Sequence, residues 1–301
     1  MAEMDLFDRT LLASRRRRAL AARTDGADFL LAAVVEDLAD RLAAVTRVFD
    51  TAVDLGGHTG RLTAALRDSG RASQVLRADL FLADPGLPPP DFICDDALLP
   101  LRDGSIGLIA SALSLQLVND LPGALIQIRR ALQPDGLFLG AVLGGDTLAE
   151  LRDCLMRAEL DVTGGAGPRV APFADTRDLG ALLQRAGFAL PVTDTDRLTV
   201  RYDSLFGLMQ DLKAMGGTSV LTERSRKPLP RAVFLRAAEL YARDHADADG
   251  RIRATFQIVY LSGWAPHKSQ QKPLKPGSAQ MRLADALAAS PRQAGGNAAG
   301  D

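Results

Sequence analysis

The sequence predicts an α/β protein built on a doubly wound, mostly parallel sheet, and three observations carry that expectation. Short apolar runs recur at Thr51–Leu55, Gln74–Ala78, Phe92–Cys94, Gly107–Leu113 and Leu137–Leu143, with capped or amphipathic segments between them. Strand, helix, strand at this spacing is the pattern of parallel strands joined by crossover helices. The first run also feeds a glycine-bearing turn, Val53-Asp54-Leu55-Gly56-Gly57-His58-Thr59-Gly60, that opens a helix. With 301 residues, 47% hydrophobic and 24% charged, the chain suffices for one large domain or a domain with an added lobe.

Each element has a local cause. Leu30, Leu31, Val34, Val35, Leu38, Leu42 and Val45 make one helical stripe, with Asp28 placed to cap it. Arg61–Asp68 is the helix after the glycine turn, and Leu80–Pro90, with four prolines, is a loop. Leu121–Leu132 starts with Asp120 at the cap and Pro122 in the first turn, and stops at Gln133-Pro134-Asp135-Gly136. Beyond residue 144 come a helix at Leu148–Leu160, a loop at Gly164–Pro172 and a helix at Leu179–Ala186 closed by Gly187. Thr193–Tyr202 is a strand, Ser204–Met215 and Pro230–Arg243 are helices, and Ala254–Ser262 is a β-branched, aromatic strand. The expected organisation is a basic helical segment at 1–48, a ligand-binding core at 49–202, a helical insertion or lid at 203–253, the last strand and C-terminal segment at 254–283, and a disordered tail at 284–301.

Charge excludes several functions. Lys and Arg total 36 against 37 Asp and Glu, a net charge of −1, so composition makes no case for nucleic acid or a membrane surface as partner. The two cysteines, Cys94 and Cys154, support neither a disulfide framework nor a cysteine zinc site. No apolar run is long enough to span a bilayer, and Asp5 and Asp8 ahead of the basic run spoil a signal peptide, so the expected compartment is the cytoplasm. The run Arg15-Arg16-Arg17-Arg18, with Arg9 and Arg23, reads first as a solvated helix face. Its sharper reading is a basic arm that touches an acidic partner or lies over the mouth of an active site.

The glycine turn lacks the G-x-G-x-x-G spacing of a dinucleotide site. It has Asp54 two residues before Gly56, then Gly57 and Gly60, and this form resembles the first motif of class I S-adenosylmethionine (SAM)-dependent methyltransferases. The resemblance implies a seven-stranded, Rossmann-like sheet with SAM held at the strand ends. Asp79, nineteen residues after Gly60, falls where a carboxylate accepts from the ribose hydroxyls. Cys94-Asp95-Asp96-Ala97-Leu98-Leu99-Pro100-Leu101 resembles the adenine-binding turn, with Asp95 accepting from the adenine amino group and the Asp96 backbone on the ring edge. Ser111, at the end of the fourth strand, would face the methionine part. His58 replaces the usual glycine, and is expected to point to solvent rather than to donate to the cofactor.

From residue 6 to 283 the chain resembles the complex I assembly factor branch of these enzymes, the branch of the mitochondrial arginine hydroxylase. The carrying segments are Phe7-Asp8-Arg9, Ser111-Ala112-Leu113-Ser114-Leu115, Val118-Asn119-Asp120-Leu121-Pro122, Gly144-Gly145-Asp146-Thr147-Leu148, Pro168-Arg169-Val170 and the C-terminal Tyr260–His267 with Ser269–Pro273. The biotin-pathway carboxyl methyltransferase resembles the core but not the C-terminal signature. The resemblance implies a protein substrate, a respiratory complex I subunit. Gln116 and Ser219 depart from that pattern.

Methyl transfer requires alignment and exclusion of water more than covalent help. Asp146 is the candidate to hold a cationic substrate group, with capping of the helix at Leu148 as its plain alternative, and Tyr202, Tyr260 and Trp264 are candidate walls. Hydroxylation usually recruits a redox metal or flavin, and His245, Asp247 and His267 have the composition of an iron triad. His245 and Asp247 lie in an acidic loop that reads as solvent, so no metal site is expected. Three functions stay open: modification of a protein arginine by methyl transfer or SAM-linked hydroxylation, a biotin-type carboxyl methyltransferase, and a non-catalytic assembly chaperone. The insertion helices should form a lid hinged at Gly216-Gly217, and Pro266–Gly277 should pack back near the pocket. Deleting Ala288–Asp301 should leave melting temperature and turnover unchanged, which calorimetry and an activity assay check directly.

Overall fold

The computed structural model describes residues 5–82 and 88–270. Seven strands are present: β1 (Phe49–Leu55), β2 (Ala72–Asp79), β3 (Phe92–Ile93), β4 (Ile106–Ala112), β5 (Leu132–Leu143), β6 (Ala189–Tyr202) and β7 (Ile252–Trp264). They form one sheet in the order β3-β2-β1-β4-β5-β7-β6. The first five pair in parallel, while β7 lies antiparallel between β5 and β6. The helices are α1 (Arg9–Ala22), α2 (Phe29–Ala43), α3 (Arg61–Asp68), α4 (Leu121–Ala131), α5 (Ala149–Thr163), α6 (Thr176–Arg185), α7 (Leu205–Ala214) and α8 (Arg231–His245).

Period-2 alternation sends the strand side chains to two separate cores. Ala52, Leu108, Ala110, Leu137 and Leu139 face α2 and α3, where Leu30, Val34, Leu38, Leu42, Leu62 and Leu66 are buried. Val53, Ile109, Phe138 and Val142 face the other way, onto Ala124, Leu125 and Ile128 of α4 and Leu179 and Leu183 of α6. Being covered on both faces explains why β4 is buried along its whole length. Strand order reverses at β1, which lies between β2 and β4, and such a reversal opens a crevice at the C-terminal strand ends.

Several boundaries move for physical reasons. The Gln133-Pro134-Asp135-Gly136 stop is no loop: α4 ends at Ala131 and the chain continues straight into β5. Asp135 takes a positive φ of 63° there, and a Cβ on Gly136 would stand 3.0 Å from the Gly107 carbonyl. The β5 register shifts at the same place, so the turn-forming residues make an irregularity inside the strand. Asp28 caps nothing; its carboxylate pairs with Arg61 instead.

The insertion does not behave as two equivalent lid helices. α8 buries Val233, Ala237, Leu240 and Tyr241 against the core that includes α5 and β7, with the Tyr241 hydroxyl on the Arg253 carbonyl at 2.8 Å. α7 buries Leu205, Leu208 and Leu212, and its last turn reaches the central cavity.

The N-terminal segment is anchored rather than solvated. Phe7 bridges to Leu221, and its backbone is clamped by Asn119, whose amide both accepts (2.8 Å) and donates (3.0 Å). Asp8 then caps α1 by accepting from the Leu11 amide. Arg9, Leu12 and Arg16 share one inward face at i, i+3, i+7 spacing, while Arg17 and Arg18 of the same run are exposed.

Residues 267–301 form a separate unit, of which 267–270 are described. The expectations for the segment beyond 270 and for the tail lie outside the described residues. Leu125, fully buried on α4, tests the second core: Leu125→Ala should lower unfolding free energy by about 3 kcal/mol in urea titrations without changing the native circular dichroism.

Candidate active site

The residues that sequence places at the cofactor meet at the crevice where β1 and β2 end. Gly56 and Gly60 take φ of 77° and 80°, and the Gly56 and Gly57 amides both donate to the Ala78 carbonyl at 3.0 Å. A Cβ on Gly56 would lie 2.3 Å from Ser114 Oγ, and one on Gly57 would lie 2.4 Å from Arg77 Cγ. The protein's own Ser114 and Arg77 therefore demand the glycines, and positive φ adds to that demand.

The carboxylates carry the stronger message. Asp54, in β1, is buried and accepts from Thr63 Oγ1 at 2.6 Å, while its Oδ1 has no partner. Burial pushes its pKa up to about 7, against the opposing bond from Thr63. Asp79 ends β2, also buried; its Oδ1 accepts from the Leu80 amide at 2.7 Å and its Oδ2 is unpartnered. Burial raises this carboxyl as well, opposed mainly by the nearby Arg16 charge. Asp95 accepts from the Ala97 amide (2.9 Å) and from Arg9 (2.7 Å), both on Oδ1. Asp96 is held by Ser114 Oγ at 2.6 Å and by Arg9.

Other expected residues have different partners. Ser111 donates to the Leu55 carbonyl at 2.8 Å, tying β4 to β1, with no exposed surface left. Asp146 is exposed, pairs with Arg197, and neither caps α5 nor lines the cavity described below. Its turn is instead latched to β7 through Gln257 Oε1, which accepts from the Asp146 amide at 2.9 Å. Tyr260 bonds Asp37 and lies under Arg41, Tyr202 is in the core beside α7, and Trp264 pairs in register with Leu137; none of the three lines the cavity.

Of the iron-type residues in the first unit, Asp247 pairs with Arg201 and Arg253, and the His245 ring packs on Tyr241. Asp153, Cys154 and His245 do converge, but Asp153 is engaged by Arg157 at 2.8 Å and burial pushes the Cys154 thiol up to about 11.

Beside the carboxylates lies a cavity of about 560 Å³. Its walls are apolar: Leu30 and Leu31 of α2, Leu113 and Leu117, Leu148, Leu151 and Leu155 of the α5 region, Phe173 and Phe256, and Met209, Leu212 and Met215 of the α7 region. Gly216 and Gly217 also face it. Its polar lining includes Arg16, Arg23, Asp25, Asp28 and Arg169, and three further polar residues have unpartnered buried atoms: His58 Nδ1, Gln116 Oε1 and Ser219 Oγ. His58 thus faces inward, not solvent; burial, then the Arg16 and Arg77 charges, depress it to about 3, so it is neutral. Gln116 and Ser219, flagged only as departures from the expected pattern, are cavity residues. Arg16 joins the two regions, lining the cavity while donating to Ser114 Oγ (3.2 Å) and the Leu113 carbonyl (3.0 Å). Sequence reasoning missed Arg16 because four consecutive arginines give no sign of which one turns inward.

Fold and site together define a protein of the SAM-dependent methyltransferase class. The family model described as "Methyltransferase domain" matches residues 53–140, and the YcgJ protein of Bacillus subtilis superposes with a TM-score of 0.52 at 15% identity, over 77% of this chain and 99% of that one. The chain is 37% identical to the mitochondrial arginine-hydroxylase NDUFAF5 of Danio rerio over 94% of this chain and 89% of the relative. It is also 34% identical to a malonyl-[acyl-carrier protein] O-methyltransferase of Laribacter hongkongensis, over 85% and 90% respectively. The chain belongs to the NDUFAF5 arginine-hydroxylase family.

SAM is the cofactor of this class, and the residues present fit it. The unpartnered Asp79 Oδ2 is a buried acceptor suited to a diol, and Asp95 keeps Oδ2 for a further donor. The raised Asp54 pKa also affects stability. Between about pH 4 and pH 7 the folded state retains a proton that the unfolded chain has released, so stability falls as pH rises through that window. Between pH 5 and pH 8, urea unfolding should show the wild type losing on the order of 2 kcal/mol more than Asp54→Asn.

Proposed function

We propose that this enzyme binds SAM across the ends of β1, β2 and β4 and modifies an arginine side chain of a protein substrate, a respiratory complex I subunit. The observation that carries the cofactor half is the unpartnered Oδ2 of buried Asp79, an acceptor left without a donor at the strand-order reversal. The substrate half is supported by the arginine-hydroxylase relatives, which this chain matches along nearly its full length.

SAM supplies an activated methyl sulfonium when bound, and the chain has three tasks around it. Asp79 and Asp95 orient the nucleoside by accepting from its hydroxyl and amino donors. The apolar walls from α2, α5 and α7 exclude water and favour a desolvated side chain. Gln116 Oε1 and Ser219 Oγ offer acceptors to the N–H groups of a guanidinium entering the cavity. His58, being neutral, adds no like charge against that cation.

A second reading, O-methylation of a carboxyl on a carrier-bound substrate, is supported by the malonyl-carrier-protein relative. Mass spectrometry of complex I subunits from a deletion strain separates the two: loss of 16 or 14 mass units on an arginine supports the first, and an unchanged subunit set removes it. For the cofactor, Asp79→Ala should weaken SAM binding by more than about 1 kcal/mol in calorimetry, since the diol loses its partner. Unchanged affinity would remove the ribose role of Asp79.

A further inference from the structure

We propose that Arg16 of the N-terminal helix is the cation that holds the carboxylate of the bound cofactor's amino-acid end. The inference rests on the SAM reading above and deepens it by assigning a residue outside the core motifs.

Arg16 is 8% exposed, and among the described residues no carboxylate lies within ion-pairing distance of its guanidinium. Its two hydrogen bonds go to neutral acceptors, Ser114 Oγ and the Leu113 carbonyl, which leaves further donors of a five-donor group on a residue that lines the cavity. A buried charge with no carboxylate in direct contact is costly, and burial is the leading influence on this group, lowering its pKa to about 10 against the opposing charge of Asp79. It remains a cation at neutral pH. Such a group on a ligand cavity calls for an anion.

The surroundings specify which anion. Arg16 lies close enough to Asp79 for their charges to interact, so the anion belongs to the same ligand as the diol on Asp79. Arg77 adds a second positive charge near His58, and His58 itself is neutral. The N-terminus of α3 follows directly from the glycine turn and adds its positive dipole end, although the Arg61 amide already donates to Thr59 Oγ1 at 3.3 Å. Asp79, the nearby acid, makes no hydrogen bond to Arg16 and keeps its Oδ2 unpartnered, so it does not hold the guanidinium itself. A ligand with a diol at one end and a carboxylate at the other satisfies both ends. Neutralising Arg16 also removes the positive field that a substrate guanidinium would otherwise meet in the same cavity.

Calorimetry with two ligands tests this on the full chain. SAM and decarboxylated SAM share the nucleoside, the sulfonium and the amine, and differ in the carboxylate. Arg16→Gln should weaken SAM binding at least tenfold and leave decarboxylated SAM within twofold of wild type. Arg16→Lys, which keeps a cation, should lose less than Arg16→Gln for SAM and provides the same comparison if the glutamine variant folds poorly. Equal losses for both ligands would make Arg16 a structural tie for α1, and tighter SAM binding in the variant would make it a competitor for the site; either overturns the proposal. Failure of the wild type to bind SAM at all would instead overturn the cofactor reading.

Discussion

The reversal of strand order at β1 is the constraint on which the site depends. Because β2 and β4 flank β1 and their crossover helices go to opposite faces, the C-terminal ends of these strands are left uncovered by the helices that follow them. The chain closes that gap from outside the sheet. α1 lies over one side through Arg9 and Arg16, and the last turn of α7 with the loop to Leu221 covers another. These two pieces are stitched together by Phe7, Asn119 and Leu221, so an N-terminal segment and an insertion some two hundred residues later form one cover.

Charge then differentiates the two compartments beneath this cover. At the ends of β1 and β2 and in the turn after β3 stand four aspartates, of which Asp95 and Asp96 are answered by Arg9, while Asp54 and Asp79 keep unpartnered oxygens. On the cavity side the walls are largely apolar, with unpartnered polar atoms on His58, Gln116 and Ser219 and charged groups on Arg16, Arg23, Asp25, Asp28 and Arg169. Arg16 belongs to both. Low local polarity makes each of these few polar groups more consequential than the same group in water, which is why the unpartnered ones are informative. The family relation to arginine hydroxylases and the likeness to carrier-protein methyltransferases place two chemistries on one architecture, so the discriminating features lie in the cavity and cover rather than in the sheet.

The parts legible in the sequence are those governed by local rules. Alternating apolar runs gave β1, β2 and β4 nearly to their ends, and Asp120 with Pro122 started α4 where expected. The aspartates at 54, 79, 95 and 96 were found because spacing along strand–turn units maps directly onto position at the strand ends. Asp28 misled because a tertiary partner, Arg61, takes the carboxylate a local rule assigns to capping, whereas Gln133–Gly136 did mark the end of α4 but lies inside β5 rather than before it.

By itself, then, the sequence determined the doubly wound core through periodicity and short-range spacing, and the strand-end carboxylates and the family through motifs that resemble those of known methyltransferases. Only the tertiary structure decided which arginine of the basic run is buried, that Ser111 ties strands, that Asp146 stays at the surface with Arg197, and that Gln116 and Ser219 face the cavity. Each of these depends on contacts between segments from about fifty to two hundred residues apart in the chain, or on which way one side chain points within a turn. No local pattern encodes such contacts; the packing of α1, α7 and the strand ends against one another does.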